Sequence, residues 1–209
     1  MATRTTIAVV RAGLVSLAVL GLLPPARAGA QAPQERPTSQ VPTLGRPTKP
    51  DDPPPLLDFG LYFKGAWDFT WEYPDSPLGP ADVTSGTTTY TQTGPSTFEA
   101  ATEAENSGGK YTVKEVFEYR RDDHALSRTV TDSRGFTYTQ QGTVNGDLGG
   151  QFTIRLDGAP FTYKGQTLRV NSVMRLLSPY NHRTQFTVSV GDGPFTNYGN
   201  PWWRKEVSR

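Results

Sequence analysis

From residue 65 onward, apolar and polar positions alternate with a period of two. In Gly65–Tyr73 the residues Trp67, Phe69, Trp71 and Tyr73 alternate with Asp68, Thr70 and Glu72. Successive side chains of a strand point to opposite faces, so one face of this segment is aromatic and the other polar. Each aromatic removes roughly 150–250 Å² from water when buried, worth several kcal/mol at about 25 cal/mol per Å². The segment is predicted to be the first strand of an antiparallel sheet with one wet face. Leu56 to Phe63, just upstream, is short and apolar. A helical turn, or a plug against one end of a barrel, is expected there.

The alternation continues through a series of hairpins. Thr84 to Thr91 reads as a second strand after the loop Pro74 to Pro80. Phe98, Ala100, Thr102 and Ala104 share a face, and beyond Asn106 to Gly109 so do Tyr111, Val113, Glu115, Phe117 and Tyr119. That turn pairs Phe98 with Phe117 and Ala100 with Glu115. A loop at Arg120 to Asp123 then pairs Phe117 with Leu126, Val113 with Val130 and Glu115 with Arg128. The loop Ser133 to Gly135, with glycine placed for a left-handed bulge, pairs Asp132 with Phe136, Val130 with Tyr138 and Arg128 with Gln140. All three hairpins keep the same face apolar, and a slip of one residue would reverse every side chain.

Asn145-Gly146 alone is rejected as the next connection, because it would turn Phe152, Ile154 and Leu156 to the wrong face. A longer loop through Asp147-Leu148-Gly149 restores them. Leu168, Val170, Ser172, Met174 and Leu176 form another inward face, followed by Phe186, Val188 and Val190. Trp202 to Val207 is expected to close the set. About nine or ten strands in succession predict an all-β fold, a single antiparallel up-and-down β-barrel covering residues 56–209.

The first 55 residues differ in kind. Arg4 and Arg11 precede the apolar run Ala12 to Leu23, which is short for a bilayer span, and small residues follow at Ala26, Ala28 and Ala30. This is the pattern of a secretory signal, residues 1–30, with cleavage expected after Ala30. Cleavage would remove three arginines and no acid, moving the formal net charge from +1 to −2. Residues 31–55 carry eight prolines and almost no large apolar side chain. Such a stretch cannot bury enough surface to offset its ordering entropy, so a disordered linker is expected. With no cysteine there is neither a disulfide framework nor a lipid-accepting thiol. The product is expected to be secreted or periplasmic, with no stable membrane span after signal cleavage. A near-neutral charge without a basic block gives no nucleic-acid surface.

Gly65-Ala66-Trp67, opening the first strand after a short apolar segment, resembles the Gly-x-Trp signature of lipocalins and other calycins. With the later Pro77-Leu78-Gly79-Pro80, the chain is similar to secreted bacterial lipocalin-like domains. The overall pattern covers residues 60–209. The resemblance implies a cup that holds a small hydrophobic molecule, and a tryptophan packed at the closed end of the barrel under an arginine from near the last strand. Arg204 or Arg209 would be that arginine, with Arg204 preferred. The chain departs from typical secreted lipocalins in lacking cysteines and an evident C-terminal helix.

Candidate chemistry gathers on the inward face. Glu115, Arg128 and Gln140 fall in one row across three strands, among Phe117, Val113, Val130 and Tyr138. The row is either a structural ion pair or the polar recognition element of an apolar cup. His182 shares its face with Thr184 and Phe186 and is expected at a barrel mouth, while His124 lies at a hairpin tip. Two distant histidines without cysteine or a His-Glu-x-x-His spacing give no case for a metal. Gly-x-Ser-x-Gly is absent, so a serine hydrolase is poorly supported. The ligand-binding residues are therefore expected among Glu115, Arg128, Gln140, Tyr138, Phe117 and His182, with no cofactor and no metal. The favoured function is binding of a small hydrophobic or amphipathic ligand. The alternatives are an isomerase or cyclase using Glu115 with Arg128, and an envelope interaction protein with a filled barrel. Interior volume separates them, since a binding cavity calls for about 300 Å³ or more.

Overall fold

The computed structural model describes residues 55–147 and 150–206. The expected signal, nearly all of the expected linker, Leu148, Gly149, Val207 and Arg209 lie outside the described residues. A short helix, α1 (Phe59–Phe63), precedes twelve strands: β1 (Gly65–Tyr73), β2 (Asp82–Gln92), β3 (Thr97–Asn106), β4 (Gly109–Arg120), β5 (Ala125–Asp132), β6 (Phe136–Gly146), β7 (Phe152–Gly158), β8 (Phe161–Tyr163), β9 (Gln166–Ser178), β10 (Asn181–Val190), β11 (Thr196–Asn197) and β12 (Trp202–Lys205). Ten of them close an antiparallel barrel in chain order, with β12 inserted between β10 and β1. The short β8 and β11 pair only with β9 and β10. The first joins β9 through a two-residue turn at Lys164 and Gly165, both at positive φ.

Closure follows from the alternation. Trp67, Phe69 and Tyr73 are buried, as are Phe117, Leu126, Ile154, Leu156, Val170 and Leu176 on later strands. Two strand glycines allow neighbouring strands to approach closely, as barrel curvature demands. A Cβ at Gly142 would be driven into the Arg155 carbonyl oxygen, and one at Gly86 into that of Glu103.

Most of the expected registers are present. Phe98 stands opposite Phe117 and Ala100 opposite Glu115. Val130 pairs with Tyr138 and Arg128 with Gln140, and Gly135 takes the left-handed conformation its loop needs. The connection after Gly146 runs over residues 147–151 and leaves Phe152, Ile154 and Leu156 inside.

The β4–β5 hairpin differs from expectation. Its loop runs from Arg121 to His124, one residue further along, with His124 at φ 51°. Phe117 is therefore opposite Arg128, and Glu115 opposite Val130. The displacement is two residues, one full period, so every side chain keeps its face. At the end of β10, Val190 is exposed and Ser189 buried, because the strand turns outward into Gly191 at φ 54°.

The end of the barrel near α1 is closed. Asp58 caps the helix by accepting from Leu61 N at 2.9 Å. Leu57, Phe59, Tyr62 and Phe63 are buried, with Phe59 stacked on Phe63 and packed against Phe98 and Phe117. Trp67, 1% exposed, donates from Nε1 to Phe63 O at 2.7 Å. The residue over its ring is Lys205, with Nζ at 5.3 Å from the centroid, and not Arg204. Strand pairing sets this, because Lys205 is opposite Trp67 while Arg204 is opposite Asp68 on the outer face. Among the described residues no helix is long and apolar enough to cross a membrane.

Candidate functional site

Away from the plug, the barrel encloses a cavity of about 70 Å³. Its walls are aromatic, including Phe69, Trp71, Tyr90, Phe136, Tyr138 and Phe186. This is room for a few waters or a small group, well short of the roughly 300 Å³ of a drug-sized pocket. The aromatic side chains of β1 occupy the volume that a wide cup would leave open.

One charged pair sits in this wall. Arg128 Nε donates to Glu115 Oε2 at 2.9 Å, and Nη2 to Oε1 at 2.7 Å, a two-bond fork. Its Nη1 donates to Gln140 Oε1 at 3.2 Å. Gln140 is held in turn: Ser172 Oγ donates to Oε1 at 3.3 Å, and Nε2 donates to Val170 O at 2.7 Å. The guanidinium lies over the rings of Phe117 and Phe186, at 5.6 and 5.8 Å. Burial weakens its charged form, but the charge and hydrogen bonds of Glu115 more than offset this, and its pKa stands above the ordinary arginine value. Burial, with a smaller contribution from Glu115, pushes the Tyr138 hydroxyl up to about 12.

The structure brings Glu115, Arg128 and Tyr138 together in the cavity wall. Gln140 lies behind them as the residue that orients Arg128. Phe117 is fully buried beneath the guanidinium and does not line the cavity. The expected single row across β4, β5 and β6 is corrected too, since Glu115 meets Arg128 diagonally. Such diagonal neighbours are about 7–8 Å apart, within reach of long side chains.

His182 is not at a mouth. It is buried at the closed end, stacked on Trp203 at 4.9 Å and packed against Trp67 and Phe63. The reason is that β10 begins where α1 plugs the barrel, opposite the closing strand, and His182 pairs with Trp203. Burial, with a smaller contribution from the Arg128 charge, lowers its pKa to about 3, so the imidazole is neutral. Neither ring nitrogen has a hydrogen-bond partner, and the same holds for the neighbouring Trp203 Nε1 and Thr184 Oγ1. Trp203 and Thr184 line the cavity.

The open end carries a second pair that sequence reasoning missed. Arg134 grips Asp132 through Nε to Oδ1 at 2.9 Å and Nη2 to Oδ2 at 2.7 Å, and lies 4.1 Å over the Tyr111 ring. Tyr111 shares a hydrogen bond with Thr84 at 2.9 Å. The signal was present: Asp132 has the inward parity of Val130, and Arg134 sits in the adjoining three-residue loop. Among the described residues no group of three His, Cys, Asp or Glu is placed to hold a metal ion.

No protein-family model matches this sequence, and no curated protein does. Among solved structures, the chain is similar to Rv2717c from M. tuberculosis, with a TM-score of 0.60 at 10% identity over 73% of this chain and 100% of that one. This likeness supports the closed antiparallel barrel and extends no further than the fold. A de novo designed fluorescence-activating β-barrel is matched at a TM-score of 0.42 and 17% identity, over 72% of this chain and 100% of that one. The redesigned barrel mFAP0, whose structure is bound to DFHBI, is matched at 0.39 and 15%, over 69% and 99%. Neither score supports an argument about this chain.

Proposed function

We propose that this chain binds a small, mostly apolar ligand that carries a hydrogen-bonding polar group, and that the ligand enters past Arg134. The observation that carries this reading is the wall formed by β10 and β12. Thr184 Oγ1 and Trp203 Nε1 belong to cavity-lining residues and are buried without a partner. An unmet buried polar group costs about 1–3 kcal/mol, a cost that apolar residues at those positions would avoid. Tyr90, Phe136 and Phe186 supply apolar contact, and the Arg128–Glu115 fork a fixed polar point. A volume of about 70 Å³ restricts the ligand to a small one unless the Arg134 side chain leaves the mouth. The leader pattern of residues 1–30 supports a secreted or periplasmic site of action, with residues 31–55 as a spacer.

Native mass spectrometry of the barrel purified from its producing cell tests this. A bound small molecule is expected in the unaltered chain and is expected to be lost in Val113→Trp, which fills the cavity from its rim. A second reading, a packed barrel used as an interaction body, is favoured by the small volume alone. Absence of any bound molecule, together with no response of tryptophan fluorescence to a panel of small aromatic compounds, would select it. The acid–base reading of Glu115 has less support, because Arg128 engages both of its carboxylate oxygens.

A further inference from the structure

The outer wall holds a feature unrelated to the cavity. Arg175 on β9 and Arg183 on β10 stand directly opposite each other in the antiparallel pairing, and both are exposed. Like charges in directly opposed positions destabilise a sheet, and an acidic neighbour ordinarily offsets them. Here the row across four strands reads Thr153, Arg175, Arg183, Trp202, with no carboxylate. The adjoining row reads Arg155, Val173, Gln185. The ion pairs of the described residues involve Arg120, Arg128, Arg134 and Arg169, and neither Arg175 nor Arg183. Outward acids concentrate elsewhere, at Glu99, Glu103 and Glu105 on β3.

Between the two arginines is a depression of about 180 Å³ lined by Val173, Arg175, Arg183, Gln185 and Asn200. It therefore offers two guanidinium groups and two amides. Arg183 is steadied by Trp202, whose ring centroid lies 5.7 Å from its Cζ. Guanidinium forks match the paired oxygens of a tetrahedral oxyanion, and a doubly charged anion neutralises two arginines at once.

We propose that Arg175 and Arg183, with Gln185 and Asn200, form a phosphate-type oxyanion site on the outside of the barrel. The group it takes is a phosphate, either free in solution or carried by an anionic lipid headgroup. The site is independent of the interior cavity and of the function proposed for it.

The test uses the whole chain and inorganic phosphate as the probe. Phosphate is expected to raise the melting temperature more than sodium chloride at matched ionic strength, and to shift the Gln185 and Asn200 side-chain amide NMR signals to saturation. Arg175→Gln/Arg183→Gln is expected to lose both responses. Arg120→Gln, on a distant exposed hairpin, is expected to keep them. Co-sedimentation with phosphatidylglycerol vesicles, and not with phosphatidylcholine vesicles, that phosphate competes away would identify the lipid source. Saturable shifts without vesicle binding would identify the free anion. Equal effects of chloride and phosphate, or an undiminished response in the double variant, would overturn the site.

Discussion

Arg128 and Glu115 are joined by two hydrogen bonds of 2.9 and 2.7 Å although their backbones are not opposed; Glu115 faces Val130 and Arg128 faces Phe117. The diagonal reach keeps both charges inside the barrel, where each side chain is largely withdrawn from water. Removing one partner strands the other, at about 3–5 kcal/mol. Glu115→Gln and Arg128→Met are each expected to destabilise the barrel by that amount, and the double variant to recover part of the loss. Urea unfolding of the four proteins measures the coupling directly. Additive, near-silent single changes would mean that the pair contributes nothing to folding.

His182 makes stability depend on pH. Its folded-state pKa of about 3 lies below the ordinary value of about 6.5, so the unfolded chain takes up this proton first. The contribution of the neutral ring is complete above about pH 6.5 and is lost as pH falls toward 3. The loss approaches about 1.4 kcal/mol per pH unit. His182→Phe keeps a ring in the Trp67–Trp203 stack and is expected to flatten this part of the profile. Unfolding free energies at pH 7, 5 and 4 for both proteins provide the comparison, and parallel profiles would contradict it.

Trp67 is the floor of the closed end. Trp67→Ala empties a site 1% exposed and forfeits the bond to Phe63 O, with an expected cost of about 3–5 kcal/mol. Lys205→Met removes a partly exposed cation over the same ring and its 3.4 Å bond to Leu61 O, and is expected to cost less than about 1 kcal/mol. Thermal melts of the two variants rank them, and a larger loss for Lys205→Met would reverse the assignment.

Gly142 tests the curvature. Alanine there drives its Cβ into the Arg155 carbonyl oxygen on the neighbouring strand, so Gly142→Ala is expected to destabilise by about 1–3 kcal/mol or more. Alanine at Gly165, whose added Cβ meets nothing within 4 Å, costs only the strain of φ 76° and is expected to be milder. Equal losses would show that close strand approach is unimportant at Gly142.

The proposed leader has its own check. The mass of the exported protein is expected to correspond to a chain beginning at Gln31, and limited proteolysis to stop near Leu56. A full-length exported chain, or core-level protection of residues 31–50, would contradict the leader and linker readings respectively.

Which residues face inward was legible in the sequence, because alternation is a local property of a strand and burial must follow its period of two. That placed Trp67, Phe117, Ile154 and Leu176 inside, made the route after Gly146 longer than Asn145-Gly146 alone, and put the Glu115 and Arg128 charges on the apolar face. Tertiary structure decided what alternation leaves degenerate. A shift of two residues keeps every face, so alternation does not separate the true β4–β5 pairing, whose loop holds His124 at positive φ, from the expected one. Placing Lys205 over Trp67, burying His182 against Trp203 and seating Arg134 on Tyr111 all depend on contacts between segments distant in the chain. The interior volume depends on how Phe69, Trp71 and their partners interdigitate once the barrel has closed, a collective packing outcome that no single strand encodes.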